Sequence, residues 1–198
     1  METFYHGTCR LFKNFSLEYI GEGEGKSKFG QGVYITSSYA SAALYAAKAG
    51  KANGVETFYV YTVEVSELTA GNNVFSCKPV TEEVRVRIEN VLGEQIPTEA
   101  ITAGKLFRKY VGNLLTNQKG TIKQMIGKAN DIAERAVSKF FKDNGIIYLA
   151  WPQAQTKPDG DTNRAVLNEE CIRIVKIEQV RVDAKNRLIE GSQMEIEL

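Results

Sequence analysis

The alternation of apolar and polar residues along the chain predicts a set of β-strands. The clearest is residues 56–66 (ETFYVYTVEVS), where apolar side chains recur at nearly every second position, as they do in a strand with one buried face. Shorter runs rich in β-branched and aromatic residues predict strands over 3–8, 32–36, 146–151 and 165–177, with a last strand or hairpin within 178–198.

Apolar residues at spacings of three and four predict helices in the remaining segments. The predicted helices are 39–49, 80–96, 98–117 and 120–143. Ser37 or Ser38 is expected to cap the alanine-rich first helix, and Thr81 the second, whose first turn carries acidic residues. The last three helices follow one another without a strand between them, so the chain has a helical middle and strand-rich ends.

Strands and helices in this order, without regular βαβ alternation, predict an α+β fold. A chain of 198 residues has the length of one domain. We therefore expect a single domain over 1–198, with a helical insertion at about 78–143. Residues 9–32 show little helical period and hold five glycines between Gly21 and Gly32, which predicts a long loop of the kind that usually serves function or is disordered.

The distribution of charge adds a feature that the hydrophobic pattern does not show. The net charge is only +1, but residues 101–142 hold nine basic and two acidic residues. Such a basic block is typical of a surface that binds an acidic partner, although a solvated helix face would show the same pattern. Both interpretations stay open at this point.

Several classes of protein are disfavoured by the composition. Three scattered cysteines without a CxxC pair and a single histidine argue against a disulfide framework and against a zinc site. No apolar run approaches the roughly 18 residues that a membrane span requires, and the start of the chain lacks the pattern of a signal peptide. We expect a cytoplasmic protein that binds no metal and no membrane.

Three short motifs carry the candidate chemistry. They are YHGT at 5–8, GVYIT at 32–36 and NEECIRI at 168–174. In this order, with a glycine-rich loop between the first two, they resemble the ADP-ribosyltransferase superfamily, in the branch of diphtheria toxin and poly(ADP-ribose) polymerase. The three core strands of that branch carry a His, a Tyr and a Glu. Tyr45 is similar to a companion tyrosine that the family places eleven residues after the tyrosine of the second motif.

The resemblance covers residues 4–66 and about 145–180, and it implies both a fold and a reaction. The fold is a split, mostly antiparallel β-sheet, and the reaction is cleavage of NAD between nicotinamide and ribose. The residues that it implies for nucleotide binding are His6, Gly7, Thr8, Tyr34, Ser41 and Tyr45. The residues that it implies for catalysis are His6, Tyr34 and Glu170. NAD is the ADP-ribose donor, and no metal takes part.

Each of these residue types suits its implied task. An imidazole nitrogen of His6 can bond a ribose hydroxyl, and Gly7 lets the backbone approach the carboxamide. Tyr34 and Tyr45 can enclose the flat nicotinamide ring. A carboxylate stabilises the positive charge that develops as nicotinamide leaves.

Two adjacent carboxylates are candidates for that last role, because Glu169 and Glu170 would point to opposite faces of a strand. Glu170 is favoured because it stands two residues before Ile172, a spacing similar to the family's, and Glu169 is the fallback. The chain departs from the polymerases at Ala42, where they often have a serine; Ser41 is one residue away.

The resulting hypothesis is a mono-ADP-ribosyltransferase that modifies a macromolecular acceptor. Because of the basic block, RNA or DNA is favoured slightly over protein. The acceptor loop is expected at 152–164, with Gln153, Gln155, Lys157, Asp159, Asp161 and Arg164 as candidate contacts. The alternatives are transfer to a protein, NAD glycohydrolase activity, and a non-catalytic module that binds NAD or nucleic acid. By analogy, the protein would be an intracellular toxin, a defence effector or a phage-encoded modifier, with an antitoxin as a neutralising partner.

Overall fold

The fold was analysed in a computed structural model, which describes residues 1–19, 29–118, 120–127, 131–153 and 162–197. Within these ranges the protein is α+β, with six α-helices and a single eight-stranded sheet that is mostly antiparallel. The predicted α+β class is therefore confirmed. None of the helices within the same ranges is both long and apolar enough to cross a lipid bilayer.

The strands follow the predicted pattern, with one addition. They are β1 (Glu2–Thr8), β2 (Val33–Thr36), β3 (Phe58–Val65), β4 (Asn73–Phe75), β5 (Tyr148–Pro152), β6 (Thr162–Val166), β7 (Arg173–Val180) and β8 (Met194–Glu195). Their order in the sheet is β4-β5-β6-β2-β1-β3-β7-β8, and only β4 and β5 pair in parallel. The unpredicted strand, β4, has three residues, which is too short to produce a recognisable period.

The helices are α1 (Tyr39–Ala52), α2 (Glu82–Leu92), α3 (Thr98–Ile101), α4 (Gly104–Leu115), α5 (Ile122–Met125) and α6 (Asp131–Asp143). Ser38 caps α1 by accepting the backbone N–H of Ser41, and Thr81 caps α2 by accepting that of Val84. Both caps were predicted from the sequence. We call α2 to α6 the helical block.

Three predicted elements are divided in the structure. The predicted strand 165–177 is two strands, because the Asn168 side chain accepts the N–H of Glu170 and starts a 3-10 turn at Glu169–Cys171. The predicted helix 98–117 is broken before Gly104, because Ala103 is extended. The predicted helix 120–143 is likewise divided into α5 and α6, and the predicted hairpin within 178–198 is reduced to β8 and a single bridge between Val182 and Leu188.

Side chains of the strands alternate between two faces of the sheet. One face, the helical face, packs against α1 over β1 and β3, and against the helical block over β5 and β6. The other face, the crossover face, is covered by Phe12 and Phe15 and by the connection from β6 to β7. That connection, residues 167–172, has to cross the sheet because β2, β1 and β3 lie between the two strands it joins.

Candidate functional site

His6 lies on β1, on the crossover face of the sheet. Its ring packs at right angles against Phe15, with the ring centres 5.1 Å apart, and lies opposite Tyr61 of β3. Its Nδ1 is 2.8 Å from the backbone oxygen of Tyr34. Because a carbonyl only accepts, Nδ1 carries the proton, and Nε2 of the neutral ring is left as an acceptor. Burial lowers the pKa of His6 from its ordinary value, so the ring is neutral at pH 7.

Tyr34 lies on β2, but its side chain is on the helical face. Its hydroxyl donates to the backbone oxygen of Gly30 at 2.7 Å, and its ring packs edge-on against Trp151 with 5.4 Å between centres. Burial raises the pKa of Tyr34 to about 12, so the phenol stays protonated. The structure therefore joins His6 and Tyr34 through the backbone while directing their side chains to opposite faces.

Gly7 is a point at which α1 comes very close to the sheet. A Cβ placed there would be 1.7 Å from the backbone oxygen of Ala42. The helix can come this close because its buried side chains on that side, from Ala42 to Ala47, are all small. Thr8, next along β1, is half-buried, and its hydroxyl accepts the N–H of Arg10 at 3.1 Å.

A polar strip of the helical face lies beside α1. Thr36 of β2 pairs with Asn163 of β6, and each is only 4% exposed. Because alternate residues share a face, Thr36 and Asn163 are on the same side of the sheet as Tyr34. Gln153, just after β5, donates to the Ser41 hydroxyl of α1 across this strip.

Tyr45 follows Ser41 by one turn on the same side of α1. Its ring is 50% exposed, and the ammonium of Lys48 lies 6.0 Å from the ring centre. Ser41 and Tyr45 thus form the edge of α1 that faces the polar strip. We define the candidate site as the strip Tyr34, Thr36 and Asn163, together with Gly7, Ser41 and Tyr45.

Glu170 is not part of this site. It is exposed in the 3-10 turn between β6 and β7, where its neighbours Cys171 and Ile172 pack into the core of the crossover face. The sheet itself therefore separates Glu170 from Tyr34. The strand beside β2 is β6, which ends at Val166 before either glutamate.

Glu169 is engaged elsewhere, with its carboxylate 3.1 Å from the Lys142 ammonium of α6. Although burial would raise the pKa of Glu169, hydrogen bonds from the backbone and from Lys142 outweigh it and hold the pKa below its ordinary value. Among the described residues, neither glutamate makes a hydrogen bond or an ion pair with His6 or Tyr34.

Several basic side chains of the basic block, residues 101–142, have partners within the protein. Arg108 is buried against Glu134, Lys139 pairs with Asp143, and Lys109 donates to the backbone oxygen of Gly127. Within the block, the basic residues that are exposed and make no ion pair among the described residues are Lys105, Lys123 and Arg135. Lys119 and Lys128 lie outside the described residues.

The predicted acceptor loop is mostly outside the described residues, including Gln155, Lys157, Asp159 and Asp161. The same is true of residues 20–28, the glycine-rich stretch. Arg164 is described, and the expectation that it contacts an acceptor is wrong. It is buried on the crossover face between Phe4 and Tyr148, with its guanidinium 4.2 and 5.1 Å from their ring centres.

Sequence reasoning missed Asn163 and Trp151. Asn163 occupies one face of a short alternating run, but no local signal shows that this run pairs with β2. Trp151 is the only tryptophan of the chain, which was the one available hint. Among the described residues no group of three or more His, Cys, Asp or Glu side chains could hold a metal ion. No protein-family model, curated protein or solved structure matches the chain.

Proposed function

We propose that the protein is an NAD-dependent mono-ADP-ribosyltransferase whose nicotinamide end binds at the candidate site. The observation that supports this most is the adjacency of the first two motifs. β1 and β2 pair, the His6 imidazole donates to the Tyr34 backbone, and α1 lies directly on Gly7. This places the bare backbone of Gly7, the partly buried Tyr34 and the half-exposed Tyr45 around one strip of the sheet.

Asn163 is the residue that we propose in place of Glu170 beside the reacting ribose. It faces the same side as Tyr34 on the strand next to β2. Its amide oxygen can accept a ribose hydroxyl, which orients the sugar as the bond to nicotinamide breaks. An amide does not ionise, so its contribution is orientation and partial negative charge, and the acceptor's proton must leave to water or to another group.

His6 has a different part in this proposal from the one that the motif implies. Its free Nε2 is on the crossover face, so one ligand reaches both His6 and Tyr34 only by passing around the end of the β1–β2 pair, beside Thr8 and Val33. Whether or not a ligand contacts His6, its hydrogen bond to the Tyr34 backbone holds β2 in place.

One alternative belongs to a different class. β6 carries no carboxylate within Thr162–Val166, which favours a module that binds NAD without cleaving it. A second alternative, hydrolysis of NAD by water, needs no acceptor site. By analogy alone, a toxin, a defence effector or a phage-encoded modifier with a neutralising partner is the setting that suits such an enzyme.

The test is incubation of the protein with NAD labelled in its adenine, in the presence of RNA, DNA or cell lysate. Label in RNA or DNA supports the nucleic-acid acceptor, and label in protein supports a protein target. Free ADP-ribose alone indicates a glycohydrolase. Saturable binding of NAD without release of nicotinamide indicates the binding module. If the protein neither binds NAD nor releases nicotinamide, the proposal is rejected.

A further inference from the structure

The segment Phe29–Gln31, which connects the glycine-rich stretch to β2, is held by the helical block. The N–H of Gln31 donates to the hydroxyl of Ser138 on α6 at 2.9 Å, and Ser138 is only 5% exposed. This is a partly buried hydrogen bond between residues 107 positions apart. If Ser138 were lost as the acceptor, the Gln31 N–H would have to find water or remain unpaired, so the contact constrains the segment.

Two further contacts fix the same segment on its other sides. The backbone oxygen of Gly30 accepts the Tyr34 hydroxyl, and the Phe29 ring lies flat on Trp151, with 4.2 Å between centres and 6° between planes. Gly30 has a φ of +96°, and a Cβ there would lie 2.2 Å from Leu149. The helical block, the sheet and the segment are therefore tightly packed against one another beside Tyr34.

The position of Ser138 is itself fixed by a buried ion pair. Glu134, one turn earlier on α6, forms an ion pair with Arg108 on α4: one carboxylate oxygen is 2.9 Å from the guanidinium Nε, and the other accepts from Nη2 at 3.4 Å. Both side chains are buried. Because Glu134 and Ser138 share a face of α6, the pair that joins the two helices also directs Ser138 toward the segment.

We propose that Ser138 is a positioning residue, which holds Phe29–Gln31 so that Tyr34 and Trp151 keep the arrangement that the nucleotide requires. The helical block then contributes to the site through Ser138. The effect of Ser138 on NAD binding rests on the proposed function, whereas its effect on the position of the segment does not.

The experiment is the replacement Ser138→Ala, followed first without any ligand. Trp151 is the only tryptophan, so its fluorescence reports the stack with Phe29 directly. We expect a red shift of the emission and stronger quenching by acrylamide. The matched control is Thr81→Ala, which removes a helix cap from the same block without touching the segment. It should lower stability and leave the emission of the folded protein unchanged.

The second readout is turnover of NAD. Loss of one hydrogen bond to the segment should raise KM for NAD about five-fold, with kcat changed by no more than about two-fold. Ser138→Thr, which keeps the hydroxyl, should restore the KM. A merely structural role would lower both the stability and the amount of active enzyme while leaving KM unchanged.

The outcomes separate the two proposals. Unchanged Trp151 emission and quenching in Ser138→Ala overturns the positioning role, whether or not NAD is turned over. If wild-type protein neither binds nor cleaves NAD, the proposed function fails, and the fluorescence still decides the role of Ser138. If Ser138→Ala does not fold, hydrogen exchange in the wild type decides: the Gln31 amide should exchange slowly, and rapid exchange refutes the contact.

Discussion

Gly7 determines how closely α1 can approach the central strand. In Gly7→Ala the new Cβ would overlap backbone, which cannot move aside as a flexible side chain could. The helix would have to shift, so we expect a loss of about 3 kcal/mol in the free energy of unfolding, together with loss of NAD binding. Urea unfolding followed by circular dichroism measures the first effect, and titration calorimetry measures the second.

Gly54→Ala is the matched control for this substitution. Gly54 has open space around it but a φ of +67°, so alanine should cost only backbone strain, about 1–2 kcal/mol. Equal stability of the two variants would show that α1 does not press on Gly7.

His6 gives a second prediction at the scale of one residue. Because it is the only histidine, its ring protons are unambiguous in an NMR titration, and they should report a pKa below 6.5. A folded pKa below the unfolded one means that the unfolded chain binds the proton more readily. The stability that His6 contributes is therefore complete above about pH 6.5 and is lost as the pH falls through the lowered pKa.

His6→Gln should flatten this pH dependence of the unfolding free energy. Glu134 has the opposite sign, since burial raises the pKa of its carboxyl and its contribution is lost as the pH rises through that raised value. Glu134→Gln therefore serves as the control that separates the two groups. An NMR pKa for His6 at or above 6.5 would contradict the burial argument.

At the scale of elements, the identity of the strand beside β2 decides which residue could reach the ribose in the proposed reaction. Asn163 is on that strand and Glu170 is beyond it. We expect Asn163→Ala to lower kcat/KM for NAD about ten-fold, as loss of one hydrogen bond to a substrate hydroxyl does. Glu170→Gln should stay within about two-fold of the wild type.

The reverse result would be equally informative. If Glu170→Gln abolishes turnover and Asn163→Ala does not, the chemistry takes place on the crossover face, where Glu170 lines a groove of about 460 Å³ with Lys13 and Phe15. The candidate site would then have to be redefined on the crossover face, where the His6 side chain lies.

The elements differ in how well local pattern could predict them. α1 and α2 begin at side-chain caps, and β3 has a strict period of two, so their signals are contained within a few residues. The break between β6 and β7 depends on Asn168 accepting the N–H of Glu170, although the residues around it have strand propensity. A run of β-branched residues alone cannot show that such a turn interrupts it.

At the scale of the whole molecule, the helical block and the sheet share one core. The cluster that holds Phe107 and Phe141 of the helices also holds Leu149 and Ala165 of the strands. We therefore expect a single unfolding transition, with Trp151 fluorescence and far-ultraviolet circular dichroism giving the same midpoint. Two separate transitions would show that the block is an independent unit.

The buried ion pair between Arg108 and Glu134 gives a second prediction about the stability of the whole molecule. Arg108→Met leaves Glu134 buried without its partner, which should cost about 3–5 kcal/mol of unfolding free energy. Replacing both, with Glu134→Leu added, should recover most of the loss. The same cost in both variants would mean that the loss comes from the missing Arg108–Glu134 interaction and not from an unpaired buried carboxylate.

The surface charge bears on the choice of acceptor. Within the basic block, residues 101–142, the exposed cations without an ion pair among the described residues are Lys105, Lys123 and Arg135. If the acceptor is a nucleic acid bound by these side chains, changing all three to Gln should reduce the slope of log affinity against log salt by about 2–3. An unchanged slope would move the acceptor site away from the helical block, and a protein acceptor would then be the better hypothesis.

The sequence by itself determined the class of fold and most of the strands and helices. These features depend on short-range periods and on helix caps. Only the tertiary structure decided the strand order, the face of the sheet on which each side chain lies, and which charged side chains are buried or paired. They depend on contacts between residues far apart in the chain, and a shift of one residue in a strand reverses its faces. For that reason the sequence could suggest a glutamate for the catalytic role. Only the packed sheet could show that Asn163 lies on the strand next to β2, while Glu170 lies on the crossover face.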